Sequence, residues 1–201
     1  MAMLLDKYMP EFDVTEVHSI RIKASTEIAY QAFKELTLAE ISGIVRLLFW
    51  LRALPEKPAA KKLLQINYSK PLLKSMLQNG FVPLQEEPPD EFVFGLLAPG
   101  DIGRFWKKSA SYNVMIKDAD SFMAFTNPDY VRVIANFSIT PAEKSGYVIV
   151  RTESRSKGLS KQAFDQFSLY WAFIRPWSGL IRRLWLRGIK THAEQKSAGA
   201  K

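Results

Sequence analysis

The stretch that decides the fold lies near the C-terminus: Phe164-Asp165-Gln166-Phe167-Ser168-Leu169-Tyr170-Trp171-Ala172-Phe173-Ile174-Arg175-Pro176-Trp177-Ser178-Gly179-Leu180-Ile181-Arg182-Arg183-Leu184-Trp185-Leu186-Arg187-Gly188-Ile189-Lys190. Phe164, Phe167, Trp171, Ile174, Ser178, Ile181, Trp185 and Ile189 recur every three or four residues, which puts them on one stripe of an α-helix. Arg175, Arg182, Arg183, Arg187 and Lys190 fall on the other side. So wide an aromatic stripe requires a large apolar partner. Pro176 should kink this helix rather than end it, because the stripe keeps its phase across the proline. Ser160 is the expected N-cap, and residues after about Gln195 read as a frayed tail, disordered over about 196–201.

The charge is concentrated in the same segment. Residues 151–201 hold eleven Lys/Arg against three Asp/Glu, whereas residues 1–150 balance at seventeen of each, so the net charge of +8 belongs to the C-terminal end. Charge gathered at one end suits a local anionic surface better than a general polycation. Nucleic acid is the weaker candidate partner, because no recognised binding motif accompanies the charge.

Upstream, Asp13 to Ala24 reads as a half-buried strand, with Val14, His18, Ile20 and Ile22 on one face and Thr15, Ser19, Arg21 and Lys23 on the other. Ser25 or Thr26 caps a helix whose apolar face is Ile28, Ala29, Ala32, Phe33 and Leu36. A second helix over about Leu38–Leu54 is apolar nearly all round. It is read either as a lid or membrane-touching element or as a core helix. A short helix follows over about Lys70–Asn79, closed by Gly80. Pro88-Pro89-Asp90 turns between strands Phe81–Glu87 and Glu91–Leu97. The segment from about Gly103 to Met115 is ambiguous. Ser121–Thr126, Tyr130–Thr140 and Tyr147–Arg155 read as further strands. Consecutive strands followed by one long helix make this an α+β chain and not a doubly wound sheet.

At 201 residues, 47% apolar and 24% charged, the chain reads as one globular domain with residues 1–12 as an N-terminal arm. The absence of cysteine excludes disulfides and cysteine-ligated metal, and two histidines are too few for an all-histidine site. No metal or cofactor is expected. No Gly-x-Ser-x-Gly elbow, phosphate loop or nucleotide fingerprint occurs, so nothing points directly to an enzyme. The first residues lack the basic start and apolar run of a signal peptide, and a cytoplasmic location is expected, with peripheral attachment at the inner membrane face as a variant of it.

The order of elements resembles the helix-grip fold of the START, birch-pollen-allergen and polyketide-cyclase-like (SRPBCC) superfamily. The likeness is carried by His18-Ser19-Ile20-Arg21-Ile22-Lys23-Ala24, by Glu91-Phe92-Val93-Phe94-Gly95-Leu96, by Val150-Arg151-Thr152-Glu153-Ser154-Arg155, and by Phe167-Ser168-Leu169-Tyr170-Trp171 with Ile174 through Arg183. The last two blocks are similar to a bacterial subgroup, from which the chain departs at Ser154. The resemblance implies a curved antiparallel sheet gripping the C-terminal helix, with a hydrophobic cavity between them. It implies binding or carriage of a small apolar molecule such as a lipid, fatty acid, isoprenoid or polyketide. The candidate lining is then His18, Trp106, Phe137, Thr152, Phe167, Trp171 and Ile174. Arg151 or Arg155 is the candidate clamp for a ligand carboxylate, or else part of a surface ladder with Glu153. Two alternatives stand beside this reading. One is a cyclase- or dehydratase-like enzyme with His18 as acid–base, which requires a cavity reaching His18 and a polar partner within hydrogen-bond distance. The other is a peripheral module whose Arg182, Arg183, Arg187 and Lys190 meet anionic lipid while Trp177 or Trp185 reaches the interface.

Overall fold

The computed structural model describes residues 3–41, 69–78, 80–101, 116 and 118–199. Among these residues the chain forms helix α1 (Leu4–Tyr8), strand β1 (Val14–Ile22), helices α2 (Thr26–Glu35) and α3 (Leu72–Gln78), strands β2 (Val82–Glu87) and β3 (Glu91–Pro99), helix α4 (Ala119–Ala124), strands β4 (Tyr130–Pro141) and β5 (Val148–Gly158), and helix α5 (Lys161–Gly199). The described strands make one antiparallel sheet in the order β1-β5-β4-β3-β2. Short reversals at Asp90 and Gly146 join neighbouring strands directly, and Gly146 takes the positive φ of 77° that its turn requires. The result is a helix-grip-like α+β arrangement with the sheet curved against a long C-terminal helix.

Period-two alternation decides which residues meet that helix. On the inner face Phe92, Phe94, Ala135, Phe137, Ile139, Val148 and Val150 pack against Phe33 of α2 and against Trp185, Leu186 and Ile189 of α5. Phe137 stacks on Phe33 with ring centroids 4.6 Å apart and touches the Trp185 ring at the same separation. This half of the space beneath α5 is therefore filled by aromatic rings. A second inner cluster forms farther along the helix, where Ala163, Phe167 and Tyr170 cover Ala98 and Val131. Ser25 caps α2 by accepting the Ile28 amide, as its position before the apolar periodicity predicts.

The outer face is covered too. Leu5 and Met9 of the N-terminal segment and Phe122 of α4 pack on Val82, Leu84, Val93, Leu97 and Ile134. The arm expected at 1–12 thus contains a short helix docked on the sheet. Ser121–Thr126 is not the strand that its short apolar run suggests. Asp118 accepts the Ser121 amide at 2.8 Å, caps α4 and turns Phe122 onto Gly95, where any side chain would collide with the ring. Helix α5 is continuous through Pro176 and stays helical to Gly199, past the point where a frayed tail is expected. Residues 38–41 form a turn. The rest of the expected Leu38–Leu54 helix and the Gly103–Met115 segment lie outside the described residues.

Candidate functional site

The register produces inner rows whose character changes across the sheet. His18, Thr152, Phe137 and Phe92 are successive partners from the β1 edge inward. Glu16, Ser154, Ala135 and Phe94 form the neighbouring row. Both rows start polar and become aromatic. Helix α5 crosses the polar ends at Gly179, where a methyl group in place of hydrogen would sit 2.7 Å from Glu16 Oε1 and 3.4 Å from His18 Nε2. Glycine here is a matter of close approach: it lets the helix pass directly over an acid–imidazole pair.

That pair is the centre of a cleft of about 340 Å³ between the edge strand and the helix, lined by Thr15, Glu16, Val17, His18, Arg175, Pro176, Gly179 and Arg183. His18 Nε2 lies 2.9 Å from Glu16 Oε1. The Glu16 side chain is only 9% exposed, and its second oxygen, Oε2, is buried without a hydrogen-bond partner among the described residues. A buried acceptor left unmatched costs roughly 1–3 kcal/mol, so it favours any donor delivered to it. Arg182 reaches inward from α5 and donates to Thr152 Oγ1 at 3.1 Å. Burial pulls the Arg182 pKa below the usual arginine value, and the nearby Glu16 charge opposes that shift. Arg175 and Arg183 stand exposed at the rim. Two lining arginines against one carboxylate, with Arg182 behind them, leave the cleft cationic. It presents acceptors inside and positive charge at its mouth.

The structure separates the sequence-predicted site residues into groups. His18 lines this cleft, whereas its cross-strand partner Thr152 is fully buried under Arg182 and does not line it. Phe137 does not line the cleft; it is 2% exposed and locked between Phe33 and Trp185. Phe167, Trp171 and Ile174 belong to the second aromatic cluster, with the Trp171 ring stacked on Phe167. Trp106 lies outside the described residues. Arg151 and Arg155 are corrected outright: they sit on the outer face, away from α5. Arg155 is 6% exposed and held by Glu153 at 2.7 Å, Asp6 at 2.7 Å and the Met9 carbonyl at 2.8 Å, while Arg151 pairs with Glu153. They clamp the N-terminal segment and cannot reach a ligand beneath the helix. The reading of a surface salt-bridge ladder is corrected with them, because Glu153 is buried. Arg182 is likewise corrected from the solvated side of the helix to its inner side. Lys190 is occupied by the Arg21 carbonyl and Glu194.

Sequence reading missed Glu16, Arg175 and Gly179. The signal for Glu16 was present: in a strand it must share a face with His18 two residues on. No pattern in the helix marks Gly179 or Arg175, because which residue crosses β1 depends on where the helix lies over the sheet. Among the described residues no group of acidic or histidine side chains is arranged to hold a metal, and no helix is long and apolar enough to cross a membrane.

The molecule is thus a helix-grip-like α+β protein with a polar cleft at the sheet edge. No family model matches the chain, and no curated protein matches it. A hypothetical protein from Helicobacter pylori, jhp0584, known from a crystal structure, is similar to it with a TM-score of 0.39 and 8% sequence identity over 94% of this chain and 93% of that one.

Proposed function

We propose that this protein is a member of the helix-grip superfamily that carries or senses a small amphipathic ligand, such as a fatty acid or another lipid-derived acid, with its polar head in the β1–α5 cleft. The observation that carries the reading is the buried, unmatched Glu16 Oε2 beside His18 in a cleft rimmed by Arg175 and Arg183. A ligand hydroxyl or protonated head meets Glu16, and its acidic group meets the arginines through charge-assisted bonds. At about 340 Å³ the cleft is at the lower end of the range for small-molecule sites, enough for a head group and the start of a tail. Organic extraction of the folded protein followed by mass spectrometry tests this. An apolar acid copurifying with the native chain, and lost from the Arg175→Ala/Arg183→Ala variant, supports the reading. No copurifying acid, or equal retention by the variant, refutes it.

A second reading draws on the Glu16–His18 contact. A carboxylate fixing an imidazole at a cleft is the arrangement that general acid–base chemistry needs. On that reading His18 takes or gives a proton at Nδ1 while Glu16 holds Nε2. Conversion of the copurified molecule by the native chain, abolished in His18→Gln with binding retained, distinguishes it from carriage.

A further inference from the structure

We propose that the exposed ridge of α5 docks on an anionic phospholipid surface. Leu169, Phe173 and Trp177 are 76%, 76% and 50% exposed, and they follow one another at intervals of four along a single ridge. Ala172 and Pro176 are exposed between them, and half-buried Leu180 continues the line. Burying three large apolar side chains is favourable in any medium that excludes water, so the ridge is a binding surface in search of a partner. The charge on the same face says which partner. At 3.6 residues per turn Arg187 stands about five turns from Leu169 on the same azimuth, about 40° from Phe173 and about 80° from Trp177, while Arg183 lies roughly 40° to the other side of Leu169, so the whole set spans an arc of about 120°. Both arginines are exposed and have no ionic or hydrogen-bond partner among the described residues. From Gln166 to Ala193 the helix contains no Asp or Glu, and the acid just before that stretch, Asp165, is paired with Lys161.

Apolar side chains in line with uncompensated arginines fit the boundary between acyl chains and anionic head groups, where a helix lies in the plane of the membrane. A second copy of this chain fits poorly, because it brings the same arginines and a net charge of +8 to meet their equals. The residues that make the surface are Leu169, Phe173, Trp177, Arg183 and Arg187. This replaces the set Arg182, Arg183, Arg187 and Lys190 with Trp177 or Trp185, of which Arg182 and Trp185 are turned inward and Lys190, at the surface, is held by the Arg21 carbonyl and Glu194. The proposal does not rest on the ligand reading, although Arg183 stands at the edge of both surfaces.

Flotation of the full chain with phosphatidylcholine vesicles, with and without a one-third share of phosphatidylglycerol, tests it. The native chain should float with the anionic vesicles, weakly with the neutral ones, and less at high salt. Phe173→Ser/Trp177→Ser should lower partitioning more than tenfold and Arg187→Glu roughly tenfold, with melting unchanged because all three side chains are exposed. Glu16→Gln, a cleft variant, should leave vesicle binding as it is, so failure of the ligand reading and failure of this one are separable. Equal flotation with both vesicles, flotation unaffected by the ridge substitutions, or a dimer in solution that the ridge substitutions abolish would each overturn the proposal.

Discussion

Gly179 shows how one residue couples the fold to the cleft. Alanine there gains about 1 kcal/mol in helix propensity, while its methyl group would sit 2.7 Å from a carboxylate oxygen held beneath the helix. The two effects nearly cancel in stability but not in geometry. Gly179→Ala should melt within a few degrees of the native chain while the His18 ring resonances move, because Glu16 must swing away. Unmoved resonances would show that the pair does not depend on this approach. Glu153 is the corresponding residue on the outer face. It is 3% exposed, accepts from both neighbouring arginines, and its amide donates to Asn136 Oδ1 at 2.9 Å. Glu153→Gln leaves Arg155 buried with half its compensation. The expected loss is about 3 kcal/mol, or roughly 6–12 °C in melting temperature. A loss below about 1 kcal/mol would mean that Asp6 and the Met9 carbonyl alone satisfy Arg155. This cluster was illegible in the sequence for a definite reason. Alternating charges on a strand read as a solvated face, and nothing in the strand itself reports that residues from the first ten will cover it.

Among the elements, α5 touches both the aromatic interior and the cleft. Its stripe was legible because Phe167, Trp185 and Ile189 obey a helical period that no strand imitates. Its inward arginine was not, since Arg182 obeys the same period as a surface residue and only the neighbouring Thr152 and Glu16 give it an inner partner. Pro176 lies in the helix interior, where proline costs about 3 kcal/mol against alanine. It is exposed, and its ring also restricts the unfolded chain, which offsets part of that cost. Pro176→Ala should therefore stabilise the chain by about 1–2 kcal/mol in chemical denaturation; a destabilised variant would show that the proline shapes the helix path.

The far end of α5 is tied to α2 and β1 by carboxylates. Lys196 holds the Glu35 carboxyl below its ordinary value. Burial pushes Glu40 and Glu194 up, but Thr37 and His192 in the first case, and the Lys23 amide with Lys190 in the second, more than reverse it. For groups whose folded pKa is depressed, the stabilisation is fully present above the unfolded value and fades as pH falls through the folded one. These ties should hold at pH 5 and above and weaken as pH falls below about 4.5. Hydrogen exchange in residues 190–199, corrected for intrinsic rates, should show protection falling over that window. Protection that stays level across it would mean that packing of Ile189 and Ala193, and not the ion pairs, secures the helix end.

At the scale of the whole molecule, the sheet has two different faces. The outer face uses buried ion pairs and a small apolar cluster to fix the N-terminal segment. The inner face grades from a polar edge, through Thr152 and Ser154, to an aromatic centre. Fold class was legible because strand and helix periods are local properties. The cleft was legible only through His18, because a site made where a helix crosses an edge strand draws residues from distances of some 160 positions in sequence. Phe92, Phe94 and Phe137 pack against Phe33 and Trp185 at that aromatic centre, and the described cleft lies at the polar edge. The ridge of α5 lies on the same helix, so a membrane-docked protein would bring its cleft close to the surface that supplies apolar acids.

On the proposed reading an amphipathic acid seats its head beside His18. The chain has two histidines, His18 and His192, so their ring signals can be told apart with a single His192→Gln reference. The decisive measurement follows both imidazoles by NMR as delipidated protein is titrated with a medium-chain fatty acid. A saturable shift of the His18 resonances is expected, absent in Arg175→Ala/Arg183→Ala, while those of His192 stay in place. His18 resonances that stay fixed while the acid binds elsewhere, or that move no more than those of His192, would contradict it.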